Sequence, residues 1–269
     1  MFRTQASHGG TGKLLNCRPV RHGSARSEDP VLLLLHQKTS CAGAVGLWLR
    51  RNHYNLDIRH PTLGEKLPDN LDRHAAVIVF GGPMSANDDV PEIRQEIDWL
   101  TLPLQEKIPF LGICLGAQMM VRQLGGKIYP HKQSLVEIGY HGVGPTSEGK
   151  ALFEEWPQRF FQWHSEGFNI PSDAVCLAEG SRFENQAYAY DSHVYGVQFH
   201  PEITTSIIDR WSTRASHMLV KKGAHKANRM LADHLIYGEG QHNWLNNFMT
   251  HWTSLIEPHK SAVSLGDDK

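Results

Sequence analysis

The sequence predicts an α/β protein with an open, mostly parallel sheet flanked by helices and a small antiparallel β layer. From residue 31 to about residue 124, short apolar runs of strand length alternate with helical segments, a pattern typical of parallel βαβ units. Between residues 127 and 198 the segments become shorter and β-rich, with Gly-Pro turns between them, which indicates the antiparallel layer. The 269 residues suffice for one such domain with extensions.

The predicted parallel strands follow one another with a helix between most of them. Strands are predicted at 31–36, which is apolar up to His36, and at 75–80, which is apolar throughout, as expected for strands covered on both faces. Residues 56–59 alternate between apolar and charged side chains and predict a further strand. One helix is predicted over 42–51, and another starts at Pro91, since proline suits the first turn of a helix.

The remaining elements are a strand and helix in the middle of the chain, shorter β segments, and a helical end. The middle pair is predicted at 109–113 and 115–124, a late strand at 195–199, and the shorter segments at 127–129, 136–143, 174–178 and 187–190. After residue 202 the chain becomes helical. We divide it into a tail at 1–29 that we expect to be disordered, a domain at 30–240, and a C-terminal helix and tail at 241–269.

One helical stripe near the C-terminus carries most of that region's large apolar side chains. Its members are Trp244, Leu245, Phe248, Met249, Trp252, Leu255 and Ile256. The spacing predicts a terminal helix that packs on the core. The alternative is an exposed apolar face that binds a second copy, giving a homodimer, or another partner.

Composition narrows the function classes. The formal net charge is −1, so no global field favours nucleic acid or a membrane surface. No apolar stretch approaches the roughly 20 residues that span a bilayer. The four cysteines show no metal-ligand spacing, and the residue 87–89 run of Asn and Asp reads as a turn, so we predict no metal and no cofactor. The lack of a recognisable signal peptide favours a reducing, cytoplasmic setting.

Cys114 carries the strongest chemical signal. It stands between the apolar strand at 109–113 and the helix at 115–124, with Gly112 and Gly116 two residues away on either side. This is the spacing of a nucleophile elbow, in which a sharp strand-to-helix turn exposes the side chain and small neighbours let the backbone crowd together. The helix N-terminus favours a thiolate there. The alternative for this residue alone is a buried structural thiol.

His200 and Glu202 supply what a nucleophilic thiol needs. They follow the strand-like run at 195–199, so the histidine could take the thiol proton and the carboxylate could hold the imidazole in its working tautomer. The alternatives are a core histidine with satisfied hydrogen bonds and an acidic residue that favours the start of a helix.

With these motifs in place, the chain resembles the class I (triad) glutamine amidotransferases, and among them stand-alone members similar to the glutaminase domain of GMP synthase. Four segments match the family in order: VFGGPMS at 79–85, GICLGAQ at 112–118, QWHS at 162–165 and GVQFHPE at 196–202. The match covers roughly residues 31–205. The resemblance implies a flavodoxin-like sheet, and it implies glutamine as the small-molecule substrate.

The resemblance also implies a role for each matched residue. Cys114 would attack the side-chain amide carbon of glutamine, His200 would be general base and then general acid, and Glu202 would orient His200. The backbone amides of Gly82 and Leu115 would form the oxyanion hole. The glutamine would be held by Gln118 and by the backbone of three residues: Trp163, His164 and Ser165.

Three functions remain open at this point. The first is hydrolysis of glutamine to glutamate and ammonia through a thioester, with the ammonia passed to a synthetase partner, an acceptor subunit or a small molecule, since the sequence shows no ATP-binding motif. The second keeps the thioester but uses γ-glutamyl amides or peptides, in which case the loop at 83–90 and the segment at 136–140 would have to admit a larger leaving group. The third is a non-catalytic glutamine-binding or regulatory protein.

Overall fold

A nine-stranded mixed sheet forms the centre of the structure, a computed structural model that describes residues 28–256. The strands of the described range are β1 (Val31–Leu34), β2 (Leu56–Arg59), β3 (Ala76–Val79), β4 (Phe110–Ile113), β5 (Ile128–Pro130), β6 (Glu137–Pro145), β7 (Arg159–His164), β8 (Glu166–Phe168), β9 (Ala174–Gly180), β10 (Asn185–Tyr190) and β11 (Val194–Val197). The main sheet has the order β2-β1-β3-β4-β11-β10-β9-β6-β7.

The two halves of this sheet differ in strand direction. From β2 to β11 all neighbours are parallel, and from β11 to β7 all are antiparallel. Strands β1, β3, β4 and β11 are buried along their whole length, as expected where helices cover both faces. The predicted fold class is therefore confirmed.

The predicted antiparallel layer takes two forms. Strands β5 and β8 pair with each other in a small separate sheet, whereas β6, β9 and β10 extend the main sheet rather than lying beside it. Strand β7, which the sequence patterns did not predict, pairs with β6 and forms the outer edge. Its Phe160 and Phe161 are both fully buried, so it lacks the alternation that marks a half-exposed strand.

Seven α-helices of the described range surround the sheet: α1 (Gly43–Arg51), α2 (Pro91–Trp99), α3 (Thr101–Gln105), α4 (Leu115–Gln123), α5 (Ser147–Leu152), α6 (Thr205–Arg214) and α7 (Ala227–Thr253). Alternate residues of each buried strand point to opposite faces. On β1, Val31 and Leu33 join one apolar cluster, and Leu32 and Leu34 join the other.

The C-terminal stripe packs on the core, as predicted. Trp244, Leu245, Phe248, Met249 and Trp252 are buried and belong to the same cluster as Val31 and Leu33. Helix α7 runs without interruption across residue 240, and the domain limits at 30, 240 and 241 stay a prediction. The predicted tails lie almost entirely outside the described residues.

None of the helices between residues 28 and 256, α7 included, is long and apolar enough to span a membrane.

Candidate active site

Four neighbouring parallel strands end at the same edge of the sheet, and each is followed by a residue or peptide of the candidate site. His36 follows β1, the Gly81–Gly82 peptide follows β3, Cys114 follows β4, and His200 follows β11. Because β1, β3, β4 and β11 are adjacent and parallel, their carboxyl ends lie side by side, where ligands bind in open α/β sheets.

Cys114 occupies a sharp turn between β4 and α4. Its backbone has φ 52° and ψ −104°, a left-handed conformation that is costly for a residue with a side chain and is found where function requires it. The Cys114 N–H donates to the carbonyl of Val197 at 2.8 Å, and its carbonyl accepts from Gln118 N at 3.0 Å. Gly116 is needed beside it, because a Cβ there would lie 2.1 Å from the carbonyl oxygen of Val79.

His200 and Glu202 form a buried pair next to the thiol. His200 Nδ1 lies 2.7 Å from Glu202 Oε1, and both side chains are almost wholly buried. Burial lowers the pKa of His200, but the Glu202 carboxylate and the Cys114 sulfur outweigh burial and raise this pKa well above its usual range. His200 Nε2 has no partner at ordinary hydrogen-bond geometry among the described residues, so the ring nitrogen that does not contact Glu202 is free to exchange a proton.

Gly81 shows how close the thiol of Cys114 and the imidazole of His200 are to each other. A Cβ built on Gly81 would lie 2.9 Å from His200 Cε1 and 3.5 Å from Cys114 Cβ. Thiol and imidazole therefore flank the same glycine, and the structure brings together Cys114, His200 and Glu202, as the sequence predicts.

Two further groups contact the sulfur of Cys114. Gln198 Nε2 donates to the sulfur at 3.5 Å, and the thiol lies 3.9 Å from the carbonyl oxygen of Trp163. Sequence reasoning gave Gln198 no role, although an amide residue inside the apolar strand run at 195–199 was a signal that could have drawn attention to it.

The backbone of His200 is held by β7 and α7. Its N–H donates to the carbonyl of Phe161 at 2.8 Å, and its carbonyl accepts from Gln241 Nε2 at 3.0 Å. The ring packs edge-on against Trp211 with centroids 4.9 Å apart. Gln241 is a second residue that the sequence patterns missed, because its partner lies 41 positions earlier in the chain.

Gly82, one of the two residues predicted to supply oxyanion-hole amides, lies close to the side chain of the other, Leu115. A Cβ on Gly82 would lie 2.9 Å from Leu115 Cδ2. Within residues 28–256, neither the Gly82 nor the Leu115 N–H donates to a protein acceptor. For Leu115 this follows from its place at the first position of α4, where a helix amide has no partner within the helix.

The other predicted substrate contacts belong to a buried polar network. Gln118 Nε2 donates to the Glu166 carbonyl and to Gln198 Oε1, both at 3.0 Å. His164 has Nδ1 2.9 Å from the same carbonyl and Nε2 3.2 Å from Glu137 Oε2. Burial raises the pKa of Glu137, but His164 and further polar neighbours outweigh it and lower this pKa. Both ring nitrogens of His164 therefore face protein oxygens. His200 is the histidine beside the thiol that has a ring nitrogen available.

A cavity of about 550 Å³ opens beside these residues. Ser165, two residues after Trp163, lines it, and so does Pro83, which follows Gly82. Charged groups at its wall are Glu166, whose carboxylate accepts from Ser85 Oγ at 2.7 Å, and the lysines Lys221 and Lys222.

Between residues 28 and 256 no three His, Cys, Asp or Glu side chains cluster closely enough to hold a metal ion. In this range the thiols of Cys41, Cys114 and Cys176 are all free of disulfides.

The chain matches a known protein family over more than half of its length. The family model described as glutamine amidotransferase class-I matches residues 48–213, more than half of the chain. The protein therefore belongs to the class-I glutamine amidotransferase family.

Its relatives include short and long proteins. A glutamine amidotransferase-like protein of Salmonella typhimurium, YfeJ, is 28% identical over 188 residues, which cover 66% of this chain and 78% of that protein. The glutamine-hydrolysing GMP synthase of Aliivibrio fischeri is 36% identical over 156 residues, covering 56% of this chain but 27% of the synthase. The likeness to the synthase is thus confined to about a quarter of its length.

Two crystal structures share the fold over most of the chain. A glutamine amidotransferase from Thermotoga maritima has a TM-score of 0.76 at 28% identity, covering 85% of this chain and 99% of that one. Another, from Methylobacillus flagellatus, has a TM-score of 0.82 at 23% identity, covering 88% and 98%.

Proposed function

We propose that this protein hydrolyses the side-chain amide of glutamine to glutamate and ammonia through a thioester on Cys114. The proposal rests on three neighbouring residues. Cys114 has a strained backbone at the elbow, His200 lies beside it, and Glu202 Oε1 lies 2.7 Å from His200 Nδ1. Membership of the family supports the same conclusion.

In the first half-reaction the thiolate of Cys114 attacks the amide carbon, and the carbonyl oxygen becomes an oxyanion. The amides of Gly82 and Leu115 would donate to it, and losing one such donor typically costs about 3 kcal/mol of barrier. Protonated His200 gives its Nε2 proton to the amide nitrogen, the C–N bond breaks, and ammonia leaves. A thioester divides one difficult amide hydrolysis into two easier steps.

In the second half-reaction water attacks the thioester carbon while neutral His200 takes one of its protons. The C–S bond then breaks, glutamate is released, and the thiolate–imidazolium pair is restored. Glu202 accepts a hydrogen bond from Nδ1 throughout, which keeps Nε2 directed at the reacting atoms. Gln118 and the segment from Trp163 to Ser165 would hold the substrate, and the ammonia would pass to a synthetase partner or another acceptor.

A γ-glutamyl amide or peptide is the second candidate donor, and the cavity lined by Pro83, Val136 and Ser165 favours it. Its volume of about 550 Å³ falls within the roughly 300–1,000 Å³ of sites that take drug-sized ligands. Pro83 and Val136, from the two segments expected to decide the size of the leaving group, both line it. Lys221 and Lys222 would attract a carboxylate on the departing amine.

The test is glutamate release from glutamine, γ-glutamylglycine and γ-glutamylmethylamide by the wild type and by Cys114→Ala. We expect turnover by the wild type and loss of at least about 10³-fold in the variant, as for removal of a catalytic nucleophile. Equal release by both proteins contradicts the mechanism. Faster turnover of γ-glutamylglycine than of the uncharged γ-glutamylmethylamide would favour γ-glutamyl amides as the donor. In that case the double variant Lys221→Ala/Lys222→Ala should reduce the preference. Tight binding of glutamine without any turnover, also in the presence of candidate acceptors, indicates the regulatory alternative.

A further inference from the structure

Another buried histidine–glutamate pair lies behind the glycine loop that contains Gly82. His36 Nε2 is 2.9 Å from Glu96 Oε1, and neither side chain is exposed to solvent. The other ring nitrogen, Nδ1, is 3.2 Å from the carbonyl oxygen of Gly81. The steps proposed above use neither residue.

The protonation of His36 follows from its two partners. A backbone carbonyl can only accept, so Nδ1 must carry the proton in its hydrogen bond to Gly81. With Glu96 as a carboxylate, which only accepts, Nε2 donates as well, and the pair is an imidazolium with a carboxylate. Burial lowers the pKa of His36, but the charge and hydrogen bond of Glu96 and the Gly81 carbonyl outweigh it, so this pKa is raised.

The contact with Gly81 fixes the peptide that contains the Gly82 amide. The described backbone contains no cis peptide bonds, and in a trans peptide the C=O and N–H of one unit point in opposite directions. With the Gly81 carbonyl held toward His36, the Gly82 N–H must point to the other side. A Cβ built on Gly82 would lie 2.8 Å from His36 Cβ and 2.9 Å from Leu115 Cδ2, so both side chains approach this glycine.

We propose that His36 and Glu96 are positioning residues that orient and polarise the Gly81–Gly82 peptide, so that its N–H serves as an oxyanion donor. The pair does not touch the substrate, because it is wholly buried behind the loop. A charged donor on the carbonyl also withdraws electron density from the peptide and strengthens its N–H, since linked hydrogen bonds polarise one another. The catalytic consequence rests on the proposed function, whereas the peptide orientation does not.

Glycine residues at 81 and 82 make such a support necessary. Flanking side chains cannot restrict this peptide, because Gly81 and Gly82 have none and glycine populates a wide range of φ and ψ. Pro83 stiffens only the following position. The imidazolium contact replaces that missing restraint with one charge-assisted hydrogen bond.

The experiment compares His36→Leu, His36→Leu/Glu96→Leu and the conservative His36→Asn with the wild type. The double variant avoids leaving one buried charge without its partner, which is the destabilising change. Asparagine carries its amide nitrogen on Cγ, where histidine carries Nδ1, and can still donate to Gly81. The matched control is His74→Leu, since His74 also pairs with a carboxylate, Asp57 at 3.0 Å, but precedes β3 at the opposite edge of the sheet.

The expected result is selective for the transition state. In both leucine variants kcat should fall about 10- to 100-fold, somewhat less than for deletion of an oxyanion donor, and KM should change less than about threefold. The rate of Cys114 alkylation by iodoacetamide should stay within about twofold, because that reaction develops no oxyanion. His36→Asn should recover most of kcat, and His74→Leu should match the wild type.

Three results would overturn the proposal. They are an unchanged kcat in a folded double variant, a parallel loss of turnover and alkylation, and a crystal structure of the double variant with an unrotated Gly81–Gly82 peptide. The crystal structure also separates the two claims. If the wild type turns over no donor, the proposed function fails. Rotation of the Gly81–Gly82 peptide in the double variant, but not in His74→Leu, would still support the positioning role.

Discussion

Two histidine–glutamate pairs lie against the Gly81–Gly82 loop, and they differ in what the remaining ring nitrogen faces. In the pair of His200 and Glu202, Nδ1 contacts the carboxylate, and Nε2 is left without an ordinary hydrogen bond beside the thiol. In the pair of His36 and Glu96, Nε2 contacts the carboxylate and Nδ1 meets a carbonyl. The two pairs are similarly buried and similarly charged. His200 nevertheless has a nitrogen available for proton transfer, whereas His36 serves as a fixed hydrogen-bond donor.

Replacing each histidine by asparagine should separate these two roles most strongly. Asparagine keeps a donor near the position of Nδ1 but has nothing in the place of Nε2. We expect His200→Asn to lower kcat by about 10⁴-fold or more, as for loss of a catalytic base, and His36→Asn to lower it by less than about tenfold because only alignment is disturbed. Steady-state glutamate release measures both. Losses of equal size at the two positions would remove the distinction between them.

Replacing each glutamate by glutamine sharpens the same contrast at a smaller scale. Glu202→Gln should lower kcat by about 10²- to 10⁴-fold, because the imidazole loses the group that selects its tautomer and stabilises its charge. Glu96→Gln should cost less than about tenfold, because neutral His36 can still donate from Nδ1 to Gly81 while Nε2 accepts from the new amide. A larger effect at Glu96 than at Glu202 would contradict this account, provided that circular dichroism shows both variants to be folded.

The pH dependence of stability should reflect the pair of His36 and Glu96. His36 and His200 each have a folded-state pKa above the unfolded value, so the contribution of each is complete below about 6.5 and is lost as the pH rises through the folded pKa, which is about 10 for His200. We therefore expect the contribution of His36 to the free energy of unfolding to fall between pH 6.5 and 8, by up to about 1.4 kcal/mol per pH unit.

Urea unfolding of the wild type and of His36→Leu/Glu96→Leu measures this slope. The double variant should have the shallower slope, since it lacks one of the two histidines. Other histidines with resolved shifts, such as His141 and His193, have lowered pKa values, and they change stability below pH 6.5 rather than above it. A slope that is identical in the two proteins would show that His36 is not protonated in the folded state.

The smallest effect is expected at the partly exposed pair of His74 and Asp57. Asp57 is about a quarter exposed and also contacts Arg59 at 2.8 Å, so solvent screens the interaction. Asp57→Asn should change the free energy of unfolding by no more than about 1 kcal/mol and leave kcat within about twofold of the wild type. Thermal unfolding measures the change in stability, and glutamate release measures kcat. A loss of activity as large as that of His36→Leu would show that the position of the pair in the sheet does not matter.

The parallel half of the sheet was predictable because its signals are local. The strands predicted at 31–36 and 75–80 contain β1 and β3, since strands buried on both faces appear in the sequence as apolar runs. The elbow at Cys114 was predictable for a similar reason, because Gly112 and Gly116 mark the crowded turn within a few residues.

The supporting contacts were not predictable, because they join distant parts of the chain. His36 and Glu96 are 60 positions apart, and Gln118 and Gln198 are 80 apart. Gln118 was expected to hold glutamine, a role that stays a prediction, and its amide nitrogen donates to two groups of the protein itself. A buried polar side chain gives no local periodicity, so only the assembled sheet reveals its partner.

The most direct test of the central claim is mass spectrometry of the protein quenched in acid during turnover of glutamine or a γ-glutamyl amide. The account predicts a γ-glutamyl adduct confined to the peptide that contains Cys114, and no adduct or turnover in Cys114→Ala. Steady glutamate formation without any adduct on Cys114, at a rate that Cys114→Ala retains, would contradict it.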